Sequence, residues 1–353
     1  MIRKIWLREY GPFREAEFSL SPLTVLVGPN ASGKTMAMEA LRRVKAALDE
    51  AHADIYRRDD SQPDREVLER VTCDFFRSYG RKTSTSENRF IVFNRDSSCF
   101  FFSENGEPPI EESRVALPKT LPVIKLLKFE PESLRSPSYL DPDELAIRAN
   151  GYGLATVLAD MKLQDDERLE WIETQVKSII PSFERVRLKR AQVRRAAETL
   201  AGNELIFDMK DAPDLSPNVI SDGTILVLGI VTSVEAATRK GKKLVGKDRK
   251  AHVLVLIDDL ERGLHPRALS DFVGCLRRMT EEMNVQILAT SHSPYLLDAL
   301  RPEEVRLTGF LEDGSATIRE LSDHPEFERW KDVMSPGEFW STAGEDWIRD
   351  VKK

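Results

Sequence analysis

The sequence predicts an α/β fold: a doubly wound, mostly parallel sheet, with an antiparallel β subdomain near its start and a helical lid inserted in its middle. Three observations predict it. The apolar, β-branched run Leu23–Val27 feeds a glycine-rich turn, Gly28–Thr35, and then helix formers from Met36 to Val44. Val253–Ile257 and Val285–Thr290 are apolar throughout, as strands buried on both faces of a parallel sheet must be. Each is followed by a helical pattern, Pro266–Met279 and Pro294–Leu300, so strand–helix alternation flanks a long middle segment that reads as an insertion.

The remaining elements follow in order. Ile5–Leu7 and Ala16–Leu20 read as short strands around a turn at Gly11-Pro12. The helix after Thr35 is expected to reach Ala53, and a second helix covers Arg65–Arg77 beyond a polar break. Phe90–Phe93 and Cys99–Phe102 read as a hairpin, with a turn signal at Asn105-Gly106. Pro108–Pro142 is expected to be mostly irregular. Helical pattern returns at Gly153–Met161 and Asp165–Ile179, Leu205–Phe207 is a short strand, and Thr224–Ala237 an apolar helix. The expected division is 1–50 and 201–300 as the two parts of one head, 51–200 as insertion and lid, and 301–353 as a tail packing on the head.

Composition narrows the class. Of 353 residues, 41% are hydrophobic and 31% charged, ordinary for a globular protein. No run approaches the roughly 18 apolar residues of a membrane span, and no signal-peptide pattern opens the chain. Three scattered cysteines argue against a disulfide framework and for a reducing cytoplasm. The net charge of −7 gives no global attraction to nucleic acid. Two local basic clusters stand out: Arg185–Arg195, expected to continue into a helix, and Arg239–Lys250, expected as a loop. Either a solvated face, or a footprint for a DNA phosphate backbone or an acidic partner, accounts for them.

Gly28, Pro29, Asn30, Ala31, Ser32, Gly33, Lys34 and Thr35 fit the phosphate-loop pattern G-x-x-x-x-G-K-S/T between a strand and a helix. Backbone N–H groups there point into a concavity at a helix N-terminus, suited to ATP phosphates. Lys34 would reach the β- and γ-phosphates and the Thr35 hydroxyl Mg2+. Asp258, at the end of an apolar strand, is the candidate for complementing the metal, and Asp259 for polarising the attacking water. His292 ends the next buried strand, where it could donate to a γ-phosphate. Ser221 and Gly223 open an apolar helix, as an N-cap or as a phosphate contact.

In this order the motifs resemble those of ATP-binding-cassette (ABC) ATPases. They are similar in particular to the soluble branch of overcoming-lysogenization-defect (OLD), RecF-like and Rad50-like proteins, and to their small AAA_21-type members. The pieces that carry the resemblance are GPNASGKT, ISDGT where transporters have LSGGQ, IDDLERGLHP, and TSHSP. It covers residues 1–35 and 203–300, and more loosely Leu134–Pro181. It implies two heads sandwiching ATP, with Gly28–Thr35, Asp258, Asp259 and His292 of one completed by Ser221 and Gly223 of the other. One departure stands out: the family usually has Glu where this chain has Asp259. A shorter carboxylate implies slow hydrolysis, with Glu261 as a compensating group.

The middle insertion lacks the heptads of a long coiled-coil arm, and the 59 residues 295–353 are too few for a nuclease domain. The resemblance therefore implies a homodimeric or larger ATPase that acts as the sensor of a bacterial anti-phage or toxin-like module with a separate effector, a nuclease or toxin. The alternative is a RecF-like repair ATPase gripping DNA through 185–195 and 239–250.

Overall fold

The computed structural model describes residues 2, 4–42, 90–95, 98–103, 123–195, 198–245, 253–345 and 347–350. The chain forms two compact units, Met1–Ile124 with Thr290–Lys353, and Lys125–Ala289.

The first unit opens with β1 (Lys4–Tyr10) and β2 (Phe13–Ser19), a hairpin around Gly11-Pro12. β3 (Leu23–Val27) is buried at every position and leads into the phosphate loop and helix α1 (34–42). β4 (Phe90–Arg95) and β5 (Ser98–Ser103) pair as the expected hairpin, and β5 also pairs with β1, giving the antiparallel order β2-β1-β5-β4. The rest of the first helix, the helix expected at 65–77 and the turn at Asn105-Gly106 lie outside the described residues.

The described part of Pro108–Pro142, from residue 123 onward, is less irregular than its prolines suggest. It contains β6 (Val123–Leu127), formed by an apolar run, and α2 (Pro131–Arg135), where Pro131 occupies the first turn and gives up no internal hydrogen bond. Next come α3 (Leu154–Gln164) and α4 (Asp166–Ile179), both where the helical pattern put them.

β7 (Phe183–Arg195), β8 (Glu198–Met209) and β9 (Ala212–Leu215) make a separate antiparallel sheet. This corrects the expectation that Arg185–Arg195 runs into a helix. The basic residues are strand residues, and the register explains why: Arg185 faces Asp208, Lys189 faces Glu204, and Val186 and Leu188 face Phe207 and Leu205. α5 (Asp222–Val245) is also longer than expected, so 239–245 is helix rather than loop. Arg and Lys are good helix formers, and one interior glycine, Gly241, costs only about 1 kcal/mol.

β10 (Val253–Ile257) and β11 (Val285–Ser291) pair in parallel and are buried throughout, joined by α6 (Pro266–Glu282). The chain returns to the first unit at Thr290 and starts the short α7 (Pro294–Leu297). Two strands carried no sequence signal. β12 (Val305–Phe310) pairs in parallel with β3 and antiparallel with β13 (Ala316–Glu320). The tail folds as α8 (Phe327–Trp330), α9 (Pro336–Ala343) and α10 (Trp347–Asp350). Its aromatic residues turn inward: Trp330 stacks on Phe339 at 3.8 Å. Gly337 N donates to Asp298 at 2.8 Å, and Ile348 lies against Gly309 of β12.

Candidate functional site

β3 delivers its backbone directly into the phosphate loop, whose shape is set by left-handed or near-extended glycines. Gly28 has φ 152° and Gly33 φ 95°, and Ala31, at φ 63°, is a left-handed position occupied by a side chain. Both glycines are also required sterically. A Cβ on Gly28 would lie 2.3 Å from the carbonyl oxygen of Thr308, and one on Gly33 2.5 Å from the ring of Phe13. The β1–β2 turn and β12 thus brace the loop from two sides. Thr308, a buried residue that no motif marks, donates its hydroxyl to Val27 O at 3.1 Å and shares a hydrogen bond with the Ser32 hydroxyl. Helical bonding begins with Ala37 N to Gly33 O at 2.8 Å.

Lys34 is only 5% exposed, and its ammonium donates to Gly28 O at 2.8 Å and Pro29 O at 2.7 Å. The charge is therefore held over the mouth of the loop by two main-chain carbonyls. Thr35 and the Pro29–Ala31 tip are exposed. Backbone amides at a helix start, a fixed cation and a free-standing hydroxyl form a donor set that fits phosphate oxygens and a hard metal ion.

His292 belongs to the same unit. β11 buries Thr290 and Ser291, and His292 emerges exposed where Ser293 N bonds back to Ser291 Oγ at 3.0 Å.

The carboxylates belong to the second unit. β10 ends at Ile257, and Asp258, the next residue, donates its N–H to Leu127 O at 3.0 Å. Its side chain, 12% exposed, lies 3.6 Å from the ammonium of Lys128. Asp259 is exposed with φ 53°. Asp and Asn tolerate this left-handed region better than longer side chains, which gives an aspartate at this position a backbone reason. Glu261 follows, half-buried, in a turn closed by Arg262 N to Asp259 O and Leu264 N to Glu261 O. Leu264-His265-Pro266 starts α6: His265 Nδ1 accepts from Arg267 N at 3.2 Å as N-cap, and Pro266 takes the first helical position.

Ser221 is exposed and caps α5, accepting from Thr224 N at 3.3 Å, with a 2.8 Å hydrogen bond between the two hydroxyls. Gly223, beside it, is buried against its own chain, where an added Cβ would meet Gly263 O at 2.3 Å. The second unit thus brings Ser221 and Gly223 together with the loop that carries Asp259 and Glu261. Sequence reasoning missed Arg135, which is buried and holds the segment leading into α5 through three acceptors; only its place in LRSPSYL marked it.

The first basic cluster separates by face. Arg185 and Arg187 both pair with the buried Asp208, and Lys189 with Glu204 at 3.0 Å. On the opposite face of the ribbon, Arg190, Gln192 and Arg194 are exposed across from Asn203, Ala201 and Thr199, with no carboxylate among them. Of the second cluster, 246–250 lies outside the described residues.

Among the described residues no helix is long and apolar enough to cross a membrane. Residues 1–107 match the family described as an AAA ATPase domain. Ninety-six residues are 26% identical to the Septu protein PtuA of Bacillus thuringiensis, a match spanning 27% of this chain and 23% of that relative's length. Among solved structures, the Smc head bound to the C-winged helix domain of ScpA superposes with a TM-score of 0.50 at 13% identity, over 90% of this chain and 96% of that one. The SMC head domain from Thermotoga maritima gives 0.41 at 12% identity, over 90% and 98%. The fold is thus that of an SMC-type ATPase head. Residues 107–298, more than half of the chain, match the family described as "AAA domain, putative AbiEii toxin, Type IV TA system", and the protein belongs to that family of ATPase domains.

Proposed function

We propose that this chain is an ABC-type ATPase that dimerises around ATP and serves as the sensor subunit of a bacterial defence or toxin-like module, with its output carried by a separate effector. The observation that carries this reading is the phosphate loop. Its glycines are sterically obligatory, and Lys34 is held above it by carbonyls that phosphate oxygens would replace as partners. Gly28–Thr35 would bind the phosphates. Thr35 and Asp258 would hold Mg2+, which supplies positive charge to the β- and γ-phosphate oxygens. Asp259 would polarise water, with Glu261 in support, His292 would contact the γ-phosphate, and Ser221 and Gly223 would close the partner head's site. Residues 1–50 and 201–300 would then act as the head, 51–200 as its lid, and 301–353 as the packed tail. The local likeness to a Septu PtuA protein supports the defence assignment.

The test is ATP turnover and nucleotide-dependent mass in solution for the wild type, Lys34→Ala and Asp258→Ala. Slow turnover and an ATP-dependent dimer, both lost in Lys34→Ala, are expected; turnover unchanged in both variants would overturn the reading. A second reading, DNA gripped by the β7–β8 ribbon, is favoured by the acid-free face of Arg190 and Arg194.

A further inference from the structure

Between the acidic loop and the start of α5, the second unit has a set of contacts that no motif describes. Arg135 is 7% exposed. Its Nε donates to Pro217 O at 3.0 Å, and its Nη2 to Ile220 O at 2.8 Å and to Asp222 Oδ1 at 2.5 Å. One guanidinium thus ties down both ends of the segment 217–222, which carries Ser221 at its exposed edge. The fork geometry matters, because a lysine presents a single point of charge and could not span these acceptors.

The same turn is seated on the acidic loop. Gly223 lies so close to Gly263 that a Cβ would fall 2.3 Å from Gly263 O. Gly263, at φ 71°, would in turn bring a Cβ to 3.0 Å from Gly223 N and 3.0 Å from Asp222 Cβ. Two glycines facing each other this way leave no compliant side chain between the segments, so displacement of one transmits to the other. The acidic loop is also fixed at its far side. Arg262 Nη1 donates to Phe129 O at 3.2 Å, six residues before Arg135, and Asp258 N bonds to Leu127 O. Residues 127–135 therefore bridge the two segments as a short strut.

We infer that Arg135 is a positioning residue: through Asp222 and the Gly223–Gly263 seat it makes the Ser221 turn and the Asp259 loop one mechanical piece. This rests on the roles proposed above for Ser221 and Asp259. An event that engages Ser221 then alters the aim of Asp259, and loosening the strut costs turnover without costing nucleotide affinity.

The experiment compares wild type, Arg135→Lys, Arg135→Gln and Gly263→Ala by amide hydrogen exchange and by steady-state kinetics with a fluorescent ATP analogue as the binding probe. In Arg135→Gln, exchange is expected to rise at 217–224 and at 258–264 together, with α3 and α4 unchanged. The kcat should fall by about tenfold, the size of one lost charge-assisted hydrogen bond, while the analogue's Kd stays within about twofold. Arg135→Lys, which keeps the charge and the fold, should show the same joint rise in exchange. A rise confined to 217–224, or an unchanged kcat in an active protein, would overturn the inference. Should the wild type itself fail to hydrolyse ATP, the ATPase reading falls, and the exchange measurement still decides whether the two segments move as one.

Discussion

The hydroxyls of Ser32 and Thr308 share a hydrogen bond although 276 residues separate them. One lies in the phosphate loop and the other on β12, and Thr308 also donates to Val27 O. Thr308→Val keeps the shape and removes both bonds, leaving the Val27 carbonyl without this donor and the buried Ser32 hydroxyl without its acceptor. A loss of about 1–3 kcal/mol in stability is expected. Weaker ATP binding, by about tenfold in calorimetry, should accompany it, with recovery in Thr308→Ser. Unchanged affinity in a destabilised variant would show that β12 supports the fold but not the loop.

Arg168 and Glu235 form a bidentate pair, at 3.0 and 2.6 Å, between α4 and α5, both nearly inaccessible to water. Arg168→Met strips a buried carboxylate of its cation and is expected to cost about 3–5 kcal/mol. Arg168→Met combined with Glu235→Leu replaces the pair by apolar packing and should recover most of that. Urea titrations of the single and double variants measure the coupling; simple additivity would contradict it.

Acid should weaken the β7–β9 sheet. The Arg187 guanidinium, then the Asp214 amide and Arg185, hold the Asp208 carboxyl far below the ordinary carboxylate range. A depressed folded-state value means that the contribution is complete above the unfolded value of about 4 and is lost as pH falls below it. Asp208→Asn should therefore melt lower than wild type at neutral pH, and the gap should narrow progressively as pH falls below about 4. A gap that persists unchanged in acid would contradict this origin.

DNA binding, if the ribbon provides it, should depend on two arginines rather than on the whole basic cluster. Arg190→Gln with Arg194→Gln should lower the slope of log affinity for a short duplex against log salt by about 2. Arg185→Gln with Lys189→Gln, residues already committed to Asp208 and Glu204, should leave the slope unchanged. Equal effects of the two pairs would assign the binding to general charge.

What the sequence disclosed was local. Leu23–Thr35, Val253–Asp259 and Val285–His292 each combine an unbroken apolar strand with a motif at its end, so element and candidate site were legible together. The ribbon was not, because the apolar alternation of Val186 and Leu188 stops at Arg190, and the acidic partners of Arg185, Arg187 and Lys189 come 15–27 residues later. β12 hid Thr308 in a six-residue strand with no motif. Arg135 was illegible for a similar reason: its acceptors are main-chain carbonyls and a carboxylate 82–87 residues away.

The left-handed backbone at Asp259 has a practical consequence for anyone wishing to freeze this protein in one nucleotide state. Exchanging the carboxylate for its amide keeps the side chain's shape, and at this position asparagine fits the backbone as comfortably as aspartate. Under the role proposed for Asp259, Asp259→Asn should therefore arrest the cycle without disturbing the fold. Asp259→Glu puts a longer side chain in this left-handed position, and its conformational penalty would offset a chemical gain from the added reach. The position acts as a conformational filter on its own mutants, and a trapped complex is best sought on the asparagine side of it.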